Sequence, residues 1–257
     1  MPAERTAPWF GLLAALAVLL AAPSAGAQSS ELVDEGRRLY AEDCISCHGP
    51  LGEGVVPEQP RRGAGGVTGT GPPLLEVGPA SLDFYLSTGR MPLPDPDEPP
   101  RRGEPRYDPR QLEALIAYVA SLGPGGEPIP DVEPERGDVR RGLELFTTYC
   151  AGCHQVVAEG GVVTGAVAPG LFEATPTQIA EAVRIGPYVM PSFDERAIDE
   201  QELNDLARYV EYAREPEDPG GWALGHIGPI PEGAVAWLLA GGALVLVALL
   251  IGERARR

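Results

Sequence analysis

A five-residue motif, Cys-x-x-Cys-His, occurs twice in this chain and limits the folds that the chain can adopt. It stands at residues 44–48 and again at residues 150–154. The motif is the attachment signature of a c-type haem, in which two thiols bond the macrocycle and the adjacent histidine binds the iron. The two copies therefore predict two covalently bound c-type haems. They contain all four cysteines and two of the three histidines of the chain: Cys44, Cys47, His48, Cys150, Cys153 and His154.

Two other uses of a Cys-x-x-Cys pair are open at this point, a redox-active disulfide and half of a zinc site. A zinc site would need four thiolates to come together from motifs about a hundred residues apart, and the histidine after each pair would be a coincidence. A thioredoxin-like site has one motif in a strand-rich domain, and the sequence shows no such pattern. The doubled motif favours haem.

Methionine is rare in this chain, and its positions follow the two motifs. Besides the initiator there are only Met91 and Met190, each downstream of one motif and each followed by proline. A methionine thioether is the usual partner of histidine on the iron of cytochromes c. Core packing is the commoner use of methionine, but neither residue falls on a helical stripe. Met91 and Met190 are therefore predicted to bind the iron opposite His48 and His154.

The amino-terminal segment, residues 1–27, has the features of a secretory signal peptide. A short polar start precedes an apolar run of about fourteen residues, and Ala-Gly-Ala then stands before Gln28. The run is short for a membrane span of about 20 residues. We therefore expect cleavage before Gln28, with a retained membrane anchor as the alternative.

The carboxy-terminal segment is predicted to cross the membrane once. Residues 234–252 carry no charge and would extend about 28 Å as a helix, close to the hydrocarbon thickness of a bilayer. A buried core helix is the alternative. Arginines in the tail, residues 253–257, predict a cytoplasmic carboxy terminus and haem domains on the extracytoplasmic side of the cell membrane. The third histidine, His226, is interpreted as an interfacial polar residue; an iron-ligand or quinol-site role is the alternative.

The charge of the chain is strongly acidic. Its 37 acidic residues outnumber its 20 basic residues, and the formal net charge is −17. Nucleic acid is excluded as a partner because its phosphates would be repelled. The charge favours basic protein partners or serves solubility.

The region between the two chain ends is an internal repeat. Three residues stand at the same distances before each motif: Gly36, Leu39 and Tyr40 in the first copy, and Gly142, Leu145 and Phe146 in the second. A Pro-x-Leu sequence, a Met-Pro pair and a segment with helical apolar spacing follow in each copy. Each unit is predicted to contain a helix, the haem motif, a loop, the methionine and a closing helix. The closing helix is predicted to begin at Asp108 in the first unit and at Asp199 or Asp194 in the second.

The repeat and the composition together predict the domain boundaries. The first domain covers residues 28–123 and the second covers residues 138–214. Residues 124–137 between them are rich in Pro, Gly and Glu, and residues 215–233 before the membrane are rich in Pro and Gly. That composition is typical of exposed linkers.

Each unit resembles a class I cytochrome c domain. The resemblance implies a mainly α fold, with two tandem class I cytochrome c domains and one C-terminal transmembrane helix. It also implies that a glycine of the first helix packs against a tyrosine of the last, Gly36 against Tyr118 and Gly142 against Tyr209. In this family a proline carbonyl holds the ligating histidine, a role that Pro72 and Pro169 match. The second unit has Ala168 where the first has Gly71, a small departure.

The whole arrangement resembles the dihaem cytochrome c subunit of the actinobacterial cytochrome bcc complex, as do residues 89–92 (Gly-Arg-Met-Pro) and residues 186–193. This resemblance implies a relay of single electrons from a Rieske iron–sulfur subunit, which works with a cytochrome b subunit, to a haem–copper oxidase. It also implies no independent catalysis, only a part in a quinol–cytochrome c reductase. Two alternatives remain open: an electron-transfer subunit of another dehydrogenase or oxidase, and a dihaem peroxidase. Arg90 either pairs with a haem propionate or faces solvent.

Overall fold

The computed structural model describes residues 25–55, 71–95, 100–216 and 229–255 of the chain. The chain divides into two compact units, one ending at Arg214 and the other beginning at Glu215. Most of the predicted signal peptide, His226 and the last two arginines lie outside the described residues. The fold is mainly helical, as predicted.

Four helices are described in the first repeat, where residues 56–70 and 96–99 are outside the described ranges. They are α1 (Ala25–Asp43), α2 (Ile45–His48), α3 (Pro79–Ser87) and α4 (Pro109–Leu122). α1 packs against α4, and their apolar faces form the centre of the first core. This core includes Tyr40, Leu115, Tyr118 and Val119. The helical stripe predicted for the closing helix is therefore the face that α4 buries.

The second repeat has the same helices in the same order, and a two-stranded hairpin is described within it. Its helices are α5 (Val139–Tyr149), α6 (Ala151–His154), α7 (Pro176–Ile185) and α8 (Glu200–Arg214). Between α6 and α7, the antiparallel strands β1 (Gly161–Val163) and β2 (Ala166–Ala168) pair with Val162 opposite Val167. α5 packs against α8, and Leu203, Leu206, Ala207 and Val210 are buried as the predicted stripe requires.

Close approach of the first and last helices of each domain depends on glycine. A β-carbon at Gly36 would lie 1.9 Å from the Ala114 carbonyl oxygen and 2.7 Å from the Tyr118 β-carbon. At Gly142 the same distances, to the Asp205 oxygen and the Tyr209 β-carbon, are 2.0 and 2.7 Å. Any side chain would force the helices apart, so the glycine–tyrosine packing that the resemblance implied is observed in both domains.

The start of the closing helix of each domain is also where the sequence predicts it. Asp108 was expected to begin the first of these helices, and it caps α4 by accepting from the Gln111 backbone N–H at 2.9 Å. Asp199 or Asp194 was expected to begin the second, and it is Asp199 whose side chain accepts from the Glu202 N–H at 2.8 Å. Asp194 caps a turn that precedes the helix.

Replacement of Asp108 by alanine is expected to lower the free energy of unfolding by about 1 kcal/mol, because the N–H of Gln111 loses its acceptor. Denaturant unfolding of the purified protein measures the change. Glu113→Ala is the matched control, since Glu113 is exposed on the same helix and its loss should change stability by less than about 0.5 kcal/mol. Equal effects of the two variants would contradict the capping role.

Three elements of the structure stand in segments that the sequence predicts to be loops. The segments between motif and methionine were expected to be loops, but each contains a helix, α3 in the first domain and α7 in the second. The β1–β2 hairpin of the second domain was likewise expected as loop. Both helices begin with proline at the first or second helical position, where its fixed φ and missing N–H are tolerated.

The linker between the repeats is mostly exposed, but each of its ends forms hydrogen bonds with a neighbouring domain. The Glu127 carbonyl accepts from the N–H of Ala80 in α3. At the other end Pro134 is buried in a 3-10 turn, and the N–H of Glu133 donates to the Asn204 side chain at 2.7 Å. The linker is therefore packed onto the first domain at one end and onto the second at the other.

In the second unit the structure describes the helix α9 (Pro229–Ala255), which is longer at both ends than the predicted span. Its segment Gly233–Ala255 has a mean hydropathy of 2.6, and no residue of its most apolar stretch is buried among the described residues. The length and composition of α9 are those of a membrane span.

Candidate haem sites

The two Cys-x-x-Cys-His motifs adopt the same backbone conformation. Cys44 and Cys150 have φ near −115° and precede the short helices α2 and α6. In each motif the histidine N–H donates to the carbonyl of the first cysteine at 2.9 Å. One helical turn thus places the two cysteines three residues apart on the same face, with the histidine next to the second. This is the spacing at which two thiols can bond one macrocycle.

Each motif histidine is fixed by a proline carbonyl. His48 Nδ1 lies 2.8 Å from the Pro72 oxygen, and His154 Nδ1 lies 2.9 Å from the Pro169 oxygen. These are the two prolines that the resemblance implied. A donated Nδ1–H leaves Nε2 unprotonated, and that nitrogen is the one free to bind a metal. Burial lowers the pKa of His48, which also favours the neutral imidazole.

The two predicted methionine ligands lie in the same cores as the motifs they follow. Met91 and Cys44 are partly buried against the core of the first domain. Met190 and Cys150 are partly buried against that of the second. Neither methionine is in a helix, as predicted. Their binding to iron stays a prediction, and the structure places each on the domain that holds its motif.

A contact that sequence reasoning missed joins each motif to the segment after its methionine. In the first domain Asp43, which precedes Cys44, accepts from Tyr107 Oη at 2.9 Å and pairs with Arg106 at 2.7 Å. In the second domain the ring of Tyr149, which precedes Cys150, lies 5.6 Å from the ring of Phe193. The two contacts differ in chemistry, so the repeat alignment did not point to them.

The other uses of paired cysteines do not fit the structure. Among the described residues, which include all four cysteines, no three His, Cys, Asp or Glu side chains come together to hold a metal ion. A zinc site made from both motifs is thus excluded. Burial raises the pKa of Cys44 to about 12 and that of Cys150 to about 11. Redox-active thiols have lowered pKa values instead.

Two features of the structure fit a haem. Arg90 directly precedes Met91, and its Nη1 atom is buried without a hydrogen-bond partner in the part of the chain that the structure describes. A propionate would supply the missing acceptor. Leu75 and Phe172, each three residues after the proline that holds the histidine, remain partly exposed. An apolar macrocycle beside the histidine would cover such side chains.

Both repeats match models of haem protein families. Residues 33–123 match the family Cytochrome c, and residues 137–210 match the family Cytochrome C oxidase, cbb3-type, subunit III. Two such domains, each with a Cys-x-x-Cys-His turn held beside a methionine segment, define a c-type cytochrome, an electron-transfer protein that binds haem covalently.

The curated relatives narrow this class. The cytochrome bc1 complex cytochrome c subunit of Mycobacterium bovis is 36% identical over 252 residues, which are 95% of this chain and 86% of the relative. The subunit of the same name from Corynebacterium diphtheriae is 35% identical over 90% of this chain and 84% of its own length. The chain belongs to the family of cytochrome bc1 complex cytochrome c subunits.

A solved structure of the reducing HAO-like protein complex of Kuenenia stuttgartiensis aligns with 70% of this chain and 95% of its own chain. The identity is 16% and the TM-score 0.34. At that TM-score the alignment has no bearing on the assignment.

Proposed function

We propose that this protein is a membrane-anchored dihaem cytochrome that accepts single electrons from a Rieske iron–sulfur subunit and passes them to a haem–copper oxidase. It would do so within a quinol-oxidising complex that also contains cytochrome b. The observation that carries the proposal is the duplication of one complete site. Each repeat supplies two thiols, a histidine fixed by a proline carbonyl, and a methionine on the same core.

The residues of each site suit electron transfer better than catalysis. A covalent haem with histidine and methionine ligands exchanges one electron at a time and has no open coordination position. Cys44 and Cys47, or Cys150 and Cys153, would bond it to the chain. Pro72 and Pro169 would hold His48 and His154 in one orientation, and Met91 and Met190 would complete the two ligand sets. A rigid ligand set leaves little to rearrange when the charge on iron changes.

The methionine segments of the two proposed sites include residues that interact between the domains. Arg90 precedes Met91, and Tyr188 stands two residues before Met190. Arg90 interacts electrostatically with Tyr188 and with Tyr85 of α3. The two methionine segments therefore approach one another where the domains meet, which supports direct electron transfer between the two centres of one chain.

The helix α9 would anchor the relay in the cell membrane as a single span. Arg254 lies in its last turn. With the two arginines that follow, this gives the positive end expected on the cytoplasmic side. The cytochrome domains would then lie on the extracytoplasmic side, where the proposed signal peptide would deliver them. Tethering keeps the relay near membrane-bound partners.

We expect that Arg90→Gln lowers the reduction potential of the first centre by on the order of 50 mV, because a cation beside the site stabilises the propionate-bearing haem and its added electron. Burial, with a contribution from Arg102, lowers the pKa of Arg90. Spectroelectrochemical titration measures the potential. Arg101→Gln is the matched control, since Arg101 is exposed. Identical potentials in both variants would place Arg90 away from the haem.

The experiment that tests the proposed pathway is purification of the tagged protein from its own membranes in mild detergent, followed by a reduced-minus-oxidised spectrum and identification of the subunits. Two haems per chain, b-type haem and a Rieske protein would support it, and a-type haem would support the step to an oxidase. A c-type signal with a different dehydrogenase would overturn the pathway. Peroxidase activity with a high-spin haem would instead favour the peroxidase alternative.

A further inference from the structure

The contact between the two cytochrome domains is formed by α3 and α7 and buries polar side chains. In α3, Leu82 and Leu86 pack in the core of the first domain. The adjacent face carries Asp83 and Ser87, four residues apart, and it faces α7. In α7, Ile179 and Val183 pack in the core of the second domain. The polar residues Gln178 and Glu181 of the same helix are also buried.

Both polar side-chain atoms of Gln178 form hydrogen bonds at this contact. Its Nε2 donates to Ser87 Oγ at 3.1 Å, and its Oε1 accepts from Arg102 Nη2 at 2.8 Å. Arg102 also pairs with Glu173 of the second domain at 3.5 Å. These bonds all cross from one domain to the other, and they leave no unpaired polar atom on Gln178.

Glu181 is different. Its side chain is completely buried, and neither carboxyl oxygen has a hydrogen-bond donor among the described residues. The group within hydrogen-bonding reach is the carboxyl of Asp83, from the other domain. Two ionised carboxylates only accept hydrogen bonds, so they would repel one another. A hydrogen bond between them requires a proton on one of the two.

Other charged groups on the elements around α7 are engaged elsewhere. The cations donate to other groups: Arg102 to Glu173 and Gln178, Arg184 to the carbonyls of Phe193 and Ile198, and Arg214 to that of Ala174. On α8, which also packs on α7, the buried acid Asp205 accepts from the Asp138 N–H and from Gln201. The charge that acts on Glu181 is that of Asp83.

We propose that Asp83 and Glu181 form a proton-binding site between the two domains, in which one shared proton makes an acid–carboxylate hydrogen bond that joins them. The site goes beyond electron transfer, and it does not depend on the partners proposed above. With its proton the pair carries one negative charge instead of two. The buried Glu181 is then neutral and gains a polar partner, which its carboxyl oxygens otherwise lack among the described residues.

The proton gives the joined state a defined pH dependence. Burial, followed by the hydrogen bond and the charge of Asp83, raises the pKa of Glu181 to about 10 in the folded protein. In the unfolded chain this carboxyl ionises near pH 4.3. Between these values only the folded protein binds the proton, so stability is full below the lower pKa and falls as pH rises towards the upper one. Alkaline solution therefore weakens the folded chain with its joined domains.

Infrared spectroscopy of the full-length holoprotein in detergent tests the site directly. At about pH 8, where exposed carboxyls are ionised, we expect the carbonyl band of one protonated carboxylic acid. Glu181→Gln should remove it. Glu173→Gln should keep it, because the Glu173 side chain at the same contact is 83% exposed. Absence of the band from the wild-type protein at this pH would overturn the proposal, as would its persistence in Glu181→Gln.

Denaturant unfolding over a pH series gives a second readout. The unfolding constant of the wild type should rise with pH by about a further factor of ten per unit relative to Glu181→Gln, because unfolding releases one additional proton. Asp83→Asn should shift the infrared titration of Glu181 to lower pH, since the amide can donate to an ionised carboxylate. This variant also serves if Glu181→Gln does not fold. Parallel pH profiles of the wild type and Glu181→Gln would contradict the shared proton.

Discussion

Replacement of Met190 by histidine is expected to lower the reduction potential of the second centre by on the order of 0.2 V, within the range of about 0.8 V over which axial ligands set haem potentials. A thioether favours Fe(II), whereas imidazole is a stronger donor and favours Fe(III). The haem should stay covalently attached, because the two thiols of its motif are unchanged. Spectroelectrochemical titration and haem staining of a denaturing gel measure the two properties separately.

The duplicated domain supplies the control. Met91→His should lower the potential of the first centre by a similar amount and leave the second near its wild-type value. Each variant thus reports on one site while the other serves as an internal reference. A variant whose potentials both remain at the wild-type values would show that the replaced methionine does not bind iron. If Met91→His shifted the potential of the second centre, or Met190→His that of the first, the two methionines would have to be assigned to the opposite haems.

A second large effect is expected from adding a single methyl group between helices. Gly142→Ala would place a β-carbon 2.0 Å from the Asp205 carbonyl oxygen, and Gly36→Ala one 1.9 Å from the Ala114 carbonyl oxygen. Backbone cannot move aside as a flexible side chain can. Such overpacking should lower the free energy of unfolding by on the order of 3 kcal/mol. Denaturant unfolding and the yield of covalent haem measure the loss.

Gly103→Ala separates this effect from a general response to glycine replacement. A β-carbon at Gly103 would meet its nearest atom, the Gly89 oxygen, at 3.5 Å, an ordinary van der Waals contact. The free energy of unfolding of the Gly103→Ala variant should therefore remain within about 0.5 kcal/mol of the wild-type value. If Gly36→Ala and Gly142→Ala were equally well tolerated, the first and last helices would not be packed as closely as described.

Much of the candidate site could be predicted because its chemistry is local in sequence. The two motifs, the two prolines and the two methionines each stand in a short recognisable pattern. The closing helices carried an unbroken apolar stripe and a capping aspartate, Asp108 or Asp199. The contacts from Tyr107 to Asp43 and from Phe193 to Tyr149 could not be predicted, because they join distant residues whose types differ between the repeats.

The helix α3 shows why the interface was missed. Its apolar residues alternate in the sequence, with Ala80, Leu82, Phe84 and Leu86 all buried. Alternation is typical of a half-buried strand, not of a surface helix. The pattern arises because α3 is covered on two sides, by its own core and by the second domain. The spacing of apolar residues identifies a helix well when one of its faces is buried, and poorly when two of its faces are buried.

The β1–β2 hairpin was missed for the opposite reason. Its paired residues Val162 and Val167 are 87% and 74% exposed, so the strands bury no face that an alternating pattern could reveal. Only its turn, with Gly165 at a φ of +81°, carries a local signal. A single glycine in a glycine-rich segment is not enough to predict a hairpin turn.

The helices α3 and α7 occupy the same place in the two repeats, so the domains meet through equivalent elements. A symmetric homodimer likewise joins its two subunits through equivalent surfaces. The linker makes that association intramolecular, at an effective concentration on the order of millimolar. A contact too small to hold two free subunits together is then sufficient. The two domains can accordingly be described as the subunits of a dimer that a covalent linker joins, with Asp83 and Glu181 facing each other across their contact.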